Sequence, residues 1–181
     1  MRSTVLFAAL AIAASAYAGD FTVTSPQMTA GGTLGTAQVM NGFGCHGGNQ
    51  SPALAWSGAP AGTRSFAVTV YDPDAPTGSG WWHWVVYNLP AATTGLPADA
   101  GAADGRDLPA PAVQVRTDYG SVGYGGACPP PGDRPHRYVF TVHALKVDRL
   151  DVPAGASPAM VGYFLGMNRL GQATLEARYG R

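Results

Sequence analysis

Phe66-Ala67-Val68-Thr69-Val70-Tyr71-Asp72-Pro73-Asp74-Ala75-Pro76 is the stretch from which the fold of this chain can be read. Its first six residues alternate bulky side chains with smaller or polar ones, the two-residue period of a strand with one face in a core. Proline then fixes the backbone and pushes the residue before it into extended geometry, so the strand ends at Asp72 and turns. The reverse junction is Pro129-Pro130-Pro131-Gly132-Asp133-Arg134-Pro135-His136-Arg137-Tyr138, a rigid turn that leads into the β-branched and aromatic run Val139-Phe140-Thr141-Val142-His143-Ala144-Leu145. Weaker strand candidates lie at 21–24, 53–57, 84–89, 112–116 and 174–179, with Gly, Pro or Asn clusters between most of them. Many short strands in one domain predict a mainly β protein, an antiparallel β-sandwich.

Composition points the same way. With 25 Gly, 15 Pro, a single Lys (Lys146) and a single Glu (Glu176), the chain disfavours a helical bundle. One helix is expected near the end, with Ser157 as its cap, Pro158 at its first position and Gly171 closing it. Met160, Tyr163, Phe164, Met167 and Leu170 recur at helical spacing and read as the face that packs on a sheet, with Gly162 and Gly166 allowing close backbone approach. Residues 96–112, rich in Ala, Gly, Asp and Pro, read as a long loop free to move.

The N-terminus has the three parts of a secretory signal peptide: Met1-Arg2, an apolar run over 5–14, and the small-residue site Ala16-Tyr17-Ala18. Residues 1–18 are therefore expected to be removed, leaving 19–181 as a single domain in the periplasm or secreted. The apolar run is too short to span a bilayer, so no transmembrane segment is expected. A formal net charge of zero leaves no field to attract nucleic acid. In an oxidising compartment the two cysteines, Cys45 and Cys128, are most simply a disulfide. A zinc site that recruits His46 is the alternative, although there is no paired Cys-x-x-Cys. Neither a metal nor a cofactor is otherwise called for.

Asp72, His83 and His136 are the candidate functional constellation. His83 lies in Trp81-Trp82-His83-Trp84, and with an extended backbone at most one or two of those tryptophans can wall a site. A carboxylate beside two imidazoles favours their protonated form, and each charged imidazole has two N–H donors, a set that suits a phosphate-like oxyanion. Gly123-Tyr124-Gly125-Gly126 could add backbone donors where side chains would block approach. Asp74 reads either as a pocket group or as an Asx cap of the proline bend, and Arg137 as a surface cation. His46 and His143 read as structural.

The DPDAP stretch, the aromatic-flanked His83 before Val85-Val86-Tyr87-Asn88, the proline-rich run into His136-Arg137-Tyr138, and Gly47-Gly48-Asn49-Gln50-Ser51-Pro52 with Trp56 together resemble the phosphatidylethanolamine-binding protein family, also called the Raf kinase inhibitor-like family, in its bacterial branch. The resemblance runs from about Phe21 to the C-terminus. It implies a β-sandwich with Greek-key connections and a C-terminal helix on the sheets. It further implies a small pocket for phosphate, phosphorylethanolamine or similar anions, lined at Asp72, Pro76, Trp81, His83, Gly126, Pro129, Pro130 and His136. Asp74 and Tyr124 read, from the residues themselves, as turn residues or as a layer behind that lining. Trp82-His83 stands where vertebrate members have two adjacent histidines, and Cys128 replaces a small residue at the pocket lip. The implied partners are a small phosphate-bearing ligand or a phosphorylated protein, a protein kinase or protease under inhibition, and a second copy in a homodimer.

Two functional classes follow. The first is a non-enzymatic binding module; the second is a hydrolase using Asp72 with a histidine as acid and base. Catalysis would need an activated nucleophile or a metal, and the candidates Ser79 and Tyr124 lie in no recognisable nucleophile motif, so the binding module is preferred.

Overall fold

A computed structural model describes residues 20–181. The expected signal peptide and the mature start at Gly19 lie outside the described residues. No helix among the described residues is long and apolar enough to cross a membrane.

The strands, in chain order, are β1 (Thr22–Thr24), β2 (Asn41–Gly42), β3 (Cys45–His46), β4 (Leu54–Ser57), β5 (Ser65–Asp72), β6 (Trp81–Pro90), β7 (Gly95–Leu96), β8 (Val113–Gln114), β9 (His136–Leu145) and β10 (Arg169–Tyr179), with helix α1 (Pro158–Asn168) before the last. Strand pairing is antiparallel in a five-stranded sheet ordered β10-β9-β5-β6-β8, a three-stranded sheet β1-β4-β7 and a ribbon β2-β3. The order β9-β5-β6-β8, in which the fourth strand returns beside the first, is a Greek key.

Val23, Leu54, Trp56 and Leu96 of the small sheet meet Phe66, Val68, Trp84, Phe140 and Val142 of the large one in the main core. On the other face of the large sheet, Ala67, Val85 and Leu145 receive Val161 and Leu165 of α1. β6 is thus covered on both faces, which explains why residues 84–89 run nearly unbroken apolar instead of alternating.

The register of β6 contains the feature that positions the site. Val70 pairs with Trp84 and Tyr71 with Trp82, so His83 is an extra residue, a β-bulge. Trp84 lies in the main core and Trp82 in the cluster under α1. The bulge turns His83 to the main-core side, edge-on to Tyr138 at 5.0 Å between ring centroids.

Four expectations need correction. The helix has its expected start, with the Ser157 hydroxyl accepting the Met160 N–H, but it buries Pro158, Val161 and Leu165 and leaves Met160, Tyr163 and Met167 exposed. Its sequence is apolar on every side, so spacing alone does not select the buried stripe. Gly171 does not close it: Arg169 turns extended after Asn168, and Gly171 sits at a bulge of β10, where a Cβ would lie 2.8 Å from Pro60. Gly162 does lie close to Trp82, whereas a Cβ at Gly166 would meet open space. Residues 96–112 are not a free loop but a string of hydrogen-bonded turns pinned by Asp99 N–H to Ser51 O at 2.9 Å and by fully buried Ala100.

Candidate functional site

The two proline junctions meet at one end of the large sheet. Asp72, the last residue of β5, is buried and its carboxylate is fully used: Oδ1 accepts the N–H of Asp74 at 2.8 Å and of Ala75 at 3.1 Å, and Oδ2 accepts Nδ1–H of His136 at 2.7 Å. Asp72, and not Asp74, therefore makes the Asx turn of the proline bend. Asp74 faces away from the cavity and binds Arg137, whose backbone N–H and guanidinium both reach it. Arg137 is a tie between the two junctions, not a solitary surface cation.

His136 opens β9. Before it, Pro130 O accepts Asp133 N–H across Pro131 and Gly132, and Gly132 has φ +84°, so this is a type II turn that demands glycine at that position. The second ring nitrogen of His136, Nε2, lies 3.3 Å from a carboxylate oxygen of Asp133.

His83 is held by the glycine-rich loop. Its Nδ1–H donates to Gly125 O at 2.7 Å, and its own carbonyl accepts Gly125 N–H at 2.8 Å. Because a carbonyl only accepts, Nδ1 carries the proton. Burial pushes the imidazole below its ordinary value, with the Gly125 carbonyl and Asp72 opposing. At neutral pH His83 is thus uncharged and presents the Nε2 lone pair, an acceptor. The expectation of two charged histidines fails at His83 for this reason.

Three of the four expected backbone donors of the loop are also spent. Tyr124 N–H binds Gly101 O, Gly125 N–H binds His83 O, and Gly126 N–H binds Asn49 Oδ1 at 2.8 Å. Gly126 itself lies behind the wall, where a Cβ would come within 2.4 Å of the Met40 nitrogen. Tyr124 is buried and gives its hydroxyl to Gln38 O, outside the cavity. Asn49, which falls in an incidental glycosylation pattern, is the clamp of this loop.

The cavity enclosed by these elements has a volume of about 240 Å³. Asp72, Pro76, Trp81, His83, Pro129, Pro130 and His136 line it as expected from the sequence, and Gly126 does not; Asp74 and Tyr124, expected at a turn or behind the lining, stand outside it. Phe43, Tyr119, Cys128 and Tyr138 complete it, with Ala75 and Thr77. Tyr138 was within reach of sequence reasoning, since it lies two residues beyond His136 on one face of β9. Tyr119 was not: it comes from a loop without periodicity, and its hydroxyl donates to Gly126 O at 3.0 Å. Burial raises both phenols above the ordinary tyrosine range, so both stay protonated at any physiological pH.

Two donors on cavity-lining residues have no partner among the described residues: the buried Tyr138 hydroxyl and the buried Trp81 Nε1–H. Among the described residues no Lys or Arg lines the cavity. The lip is cross-linked by Cys45–Cys128, with Cα atoms 5.9 Å apart, so the sulfurs bind each other and not zinc. Arg181 fastens the lip further, with Nε–H on Pro129 O at 2.7 Å and Nη1–H on Gly44 O at 2.9 Å.

A family model described as phosphatidylethanolamine-binding protein matches residues 24–180. The chain is 54% identical over 180 residues to the UPF0098 protein YbcL of Escherichia coli K12, covering 99% of this chain and 98% of the relative. It is 36% identical over 162 residues to the putative lipoprotein LppC of Mycobacterium tuberculosis, covering 90% and 73%. The crystal structure of E. coli YbcL, described as a new member of the mammalian PEBP family, superposes with a TM-score of 0.88 at 56% identity, covering 90% of this chain and 99% of that one. A homologue from Chlamydia trachomatis, CT736, gives 0.73 at 28%, covering 89% and 97%. With the Greek-key sandwich, the α1 layer and the match over nearly all of its length, this chain belongs to the phosphatidylethanolamine-binding protein family.

Proposed function

We propose that the chain is an exported binding protein whose cavity takes a phosphate-bearing small molecule and does not turn it over. The observation that carries this is the pair of buried donors without a partner among the described residues, Tyr138 Oη and Trp81 Nε1, on residues that line the same cavity as the Asp72–His136 pair. An unmade buried hydrogen bond costs free energy that a ligand oxygen recovers. Beside these donors His83 Nε2 offers a lone pair, so the fitting ligand brings an oxyanion together with a hydrogen of its own, as a singly protonated phosphate or phosphorylethanolamine does. A volume of about 240 Å³ matches a head group and excludes a whole lipid.

Turnover is disfavoured by what each reactive group already does. The Asp72 carboxylate is committed to three donors, the Thr77 hydroxyl donates to Gly80 O, Tyr119 to Gly126 O, and Cys128 is in the disulfide. The Tyr138 hydroxyl, unpartnered among the described residues and near His83, is a phenol that burial holds protonated, a poor nucleophile. Export is supported by the N-terminal pattern and by the disulfide.

The test is an NMR titration of the imidazole signals with phosphate and with phosphorylethanolamine. His83 and His136 should shift together and His143 should stay still; unchanged binding by His136→Ala would place the site elsewhere. Saturable hydrolysis of phosphomonoesters or esters that is lost in each of Asp72→Asn, His83→Ala and His136→Ala would overturn the non-enzymatic reading. A phosphoserine peptide in the same titration tests a phosphorylated protein as the alternative partner.

A further inference from the structure

His136 is the one imidazole on the cavity wall with an acidic group at each ring nitrogen. Asp72 takes Nδ1–H at 2.7 Å and is buried with it; Asp133 lies 3.3 Å from Nε2. The two carboxylates differ in every respect that governs how easily they leave. Asp72 has three donors, whereas the Asp133 carboxylate has, among the described residues, His136 as its sole hydrogen-bond partner and is 41% exposed. Its backbone is fixed by the type II turn over residues 130–133, and the neighbouring Arg134 reaches Asp74 instead. A carboxylate oxygen on a histidine N–H is also the chemical likeness of a phosphate oxygen in the same place.

We propose that Asp133 is a resident competitor for the oxyanion. Its carboxylate occupies the His136 Nε2–H donor in the empty protein, and a phosphate-type ligand binds by displacing it outward into solvent. This rests on the anion-binding reading above and adds what limits affinity at that site. Asp133 sets the threshold: ligands that form one good charge-assisted bond to Nε2 and nothing else gain little, because one such bond is exchanged for another. Ligands that also satisfy Tyr138 Oη and Trp81 Nε1 gain two bonds that the empty protein lacks.

The test is calorimetric titration of inorganic phosphate into the wild type, Asp133→Asn, Asp133→Ala and His136→Ala, in low salt and in about 1 M NaCl, where the Debye length is about 3 Å. Both Asp133 variants should bind phosphate roughly tenfold more tightly, the scale of one charge-assisted hydrogen bond. The ratio should persist in high salt, because the competition is a contact and not a long-range repulsion. Equal or weaker binding by the variants, with the wild type still binding and His136→Ala not, would overturn this proposal and leave the anion site standing. A gain that vanishes in high salt would overturn it too, since Asp133 would then act through space. No phosphate binding by any of the four proteins would overturn both readings.

Discussion

The Asp74 carboxylate accepts Arg137 three times, from the backbone N–H at 2.9 Å, from Nε–H at 2.8 Å and from Nη2–H at 2.9 Å, across 63 residues of chain. It thereby ties the turn after β5 to the start of β9, the two segments that carry Asp72 and His136. These hydrogen bonds, led by the Arg137 side chain, hold the Asp74 carboxyl far below its ordinary 3.8. The unfolded chain therefore binds a proton near pH 4 that the folded chain refuses. The stability that Asp74 contributes is complete above about pH 4 and is lost as the pH falls below it. Asp74→Asn should cost about 2 kcal/mol at pH 7. In urea titrations the gap between variant and wild type should close below pH 4, and a gap independent of pH would show that the pairing is not what the substitution removed.

His143 also loses stability on acidification, for a different reason. It lies on the outer face of β9, buried, with Nε2 3.1 Å from the Thr69 hydroxyl and Nδ1 without a partner. Burial, aided by Arg169, lowers it from 6.5 to about 4. Between those values the unfolded chain takes up a proton that the native chain does not, so stability is lost as the pH falls from 6.5 to 4 and no further below. At about 1.4 kcal/mol per pH unit the loss is at most about 3.5 kcal/mol. Burial lowers His83 as well, so only a comparison isolates His143. His143→Gln should flatten its share of the slope between pH 6.5 and 4; an unchanged slope would assign it to other groups.

The Cys45–Cys128 bond spans 83 positions and ends at the cavity lip. In the chain-entropy model it contributes about 4 kcal/mol. The Cys45→Ser, Cys128→Ser double variant should lose about that much in urea denaturation and should bind phosphate more weakly, because Phe43 and Pro129 are no longer held across the mouth. Thiol titration of unfolded, unreduced protein should find none, and two reactive thiols would refute the bond.

For α1 the two apolar stripes should respond differently. Leu165→Ala, which empties a buried position on the large sheet, should cost about 2–4 kcal/mol. Tyr163→Ser and Met167→Gln, on the exposed side, should stay within about 0.5 kcal/mol. Equal losses from both stripes, read from urea midpoints, would mean that the helix packs by the other face.

What could be read in advance followed local chemistry. Asp72 and His136 were legible because proline fixes a strand end on the residue beside it, and two-residue parity then places the side chain. The Asp74–Arg137 tie was not, because nothing in either segment names a partner 63 residues away. The face of α1 was undecidable from a sequence with no polar side. Gly125 and Gly126 were marked as special, but the reason was misread. A Cβ at Gly125 would lie 2.3 Å from the Tyr119 ring, so the glycines make room for protein packing and for the His83 clamp instead of leaving bare amides for a ligand.

The bulge in β6 separates the packing of the strand from the placement of His83. Remove His83 from the register and Trp81, Trp82, Trp84, Val85 and Val86 fall into ordinary alternation against β5, each on the side where it already lies. The acceptor of the pocket is thus an insertion into a ladder that closes without it. Deleting His83 would leave the hydrophobic pattern of the sheet whole and would remove the two hydrogen bonds that hold Gly125. The alternation of the strand and the placement of the glycine-rich loop thus rest on different residues of the same ten.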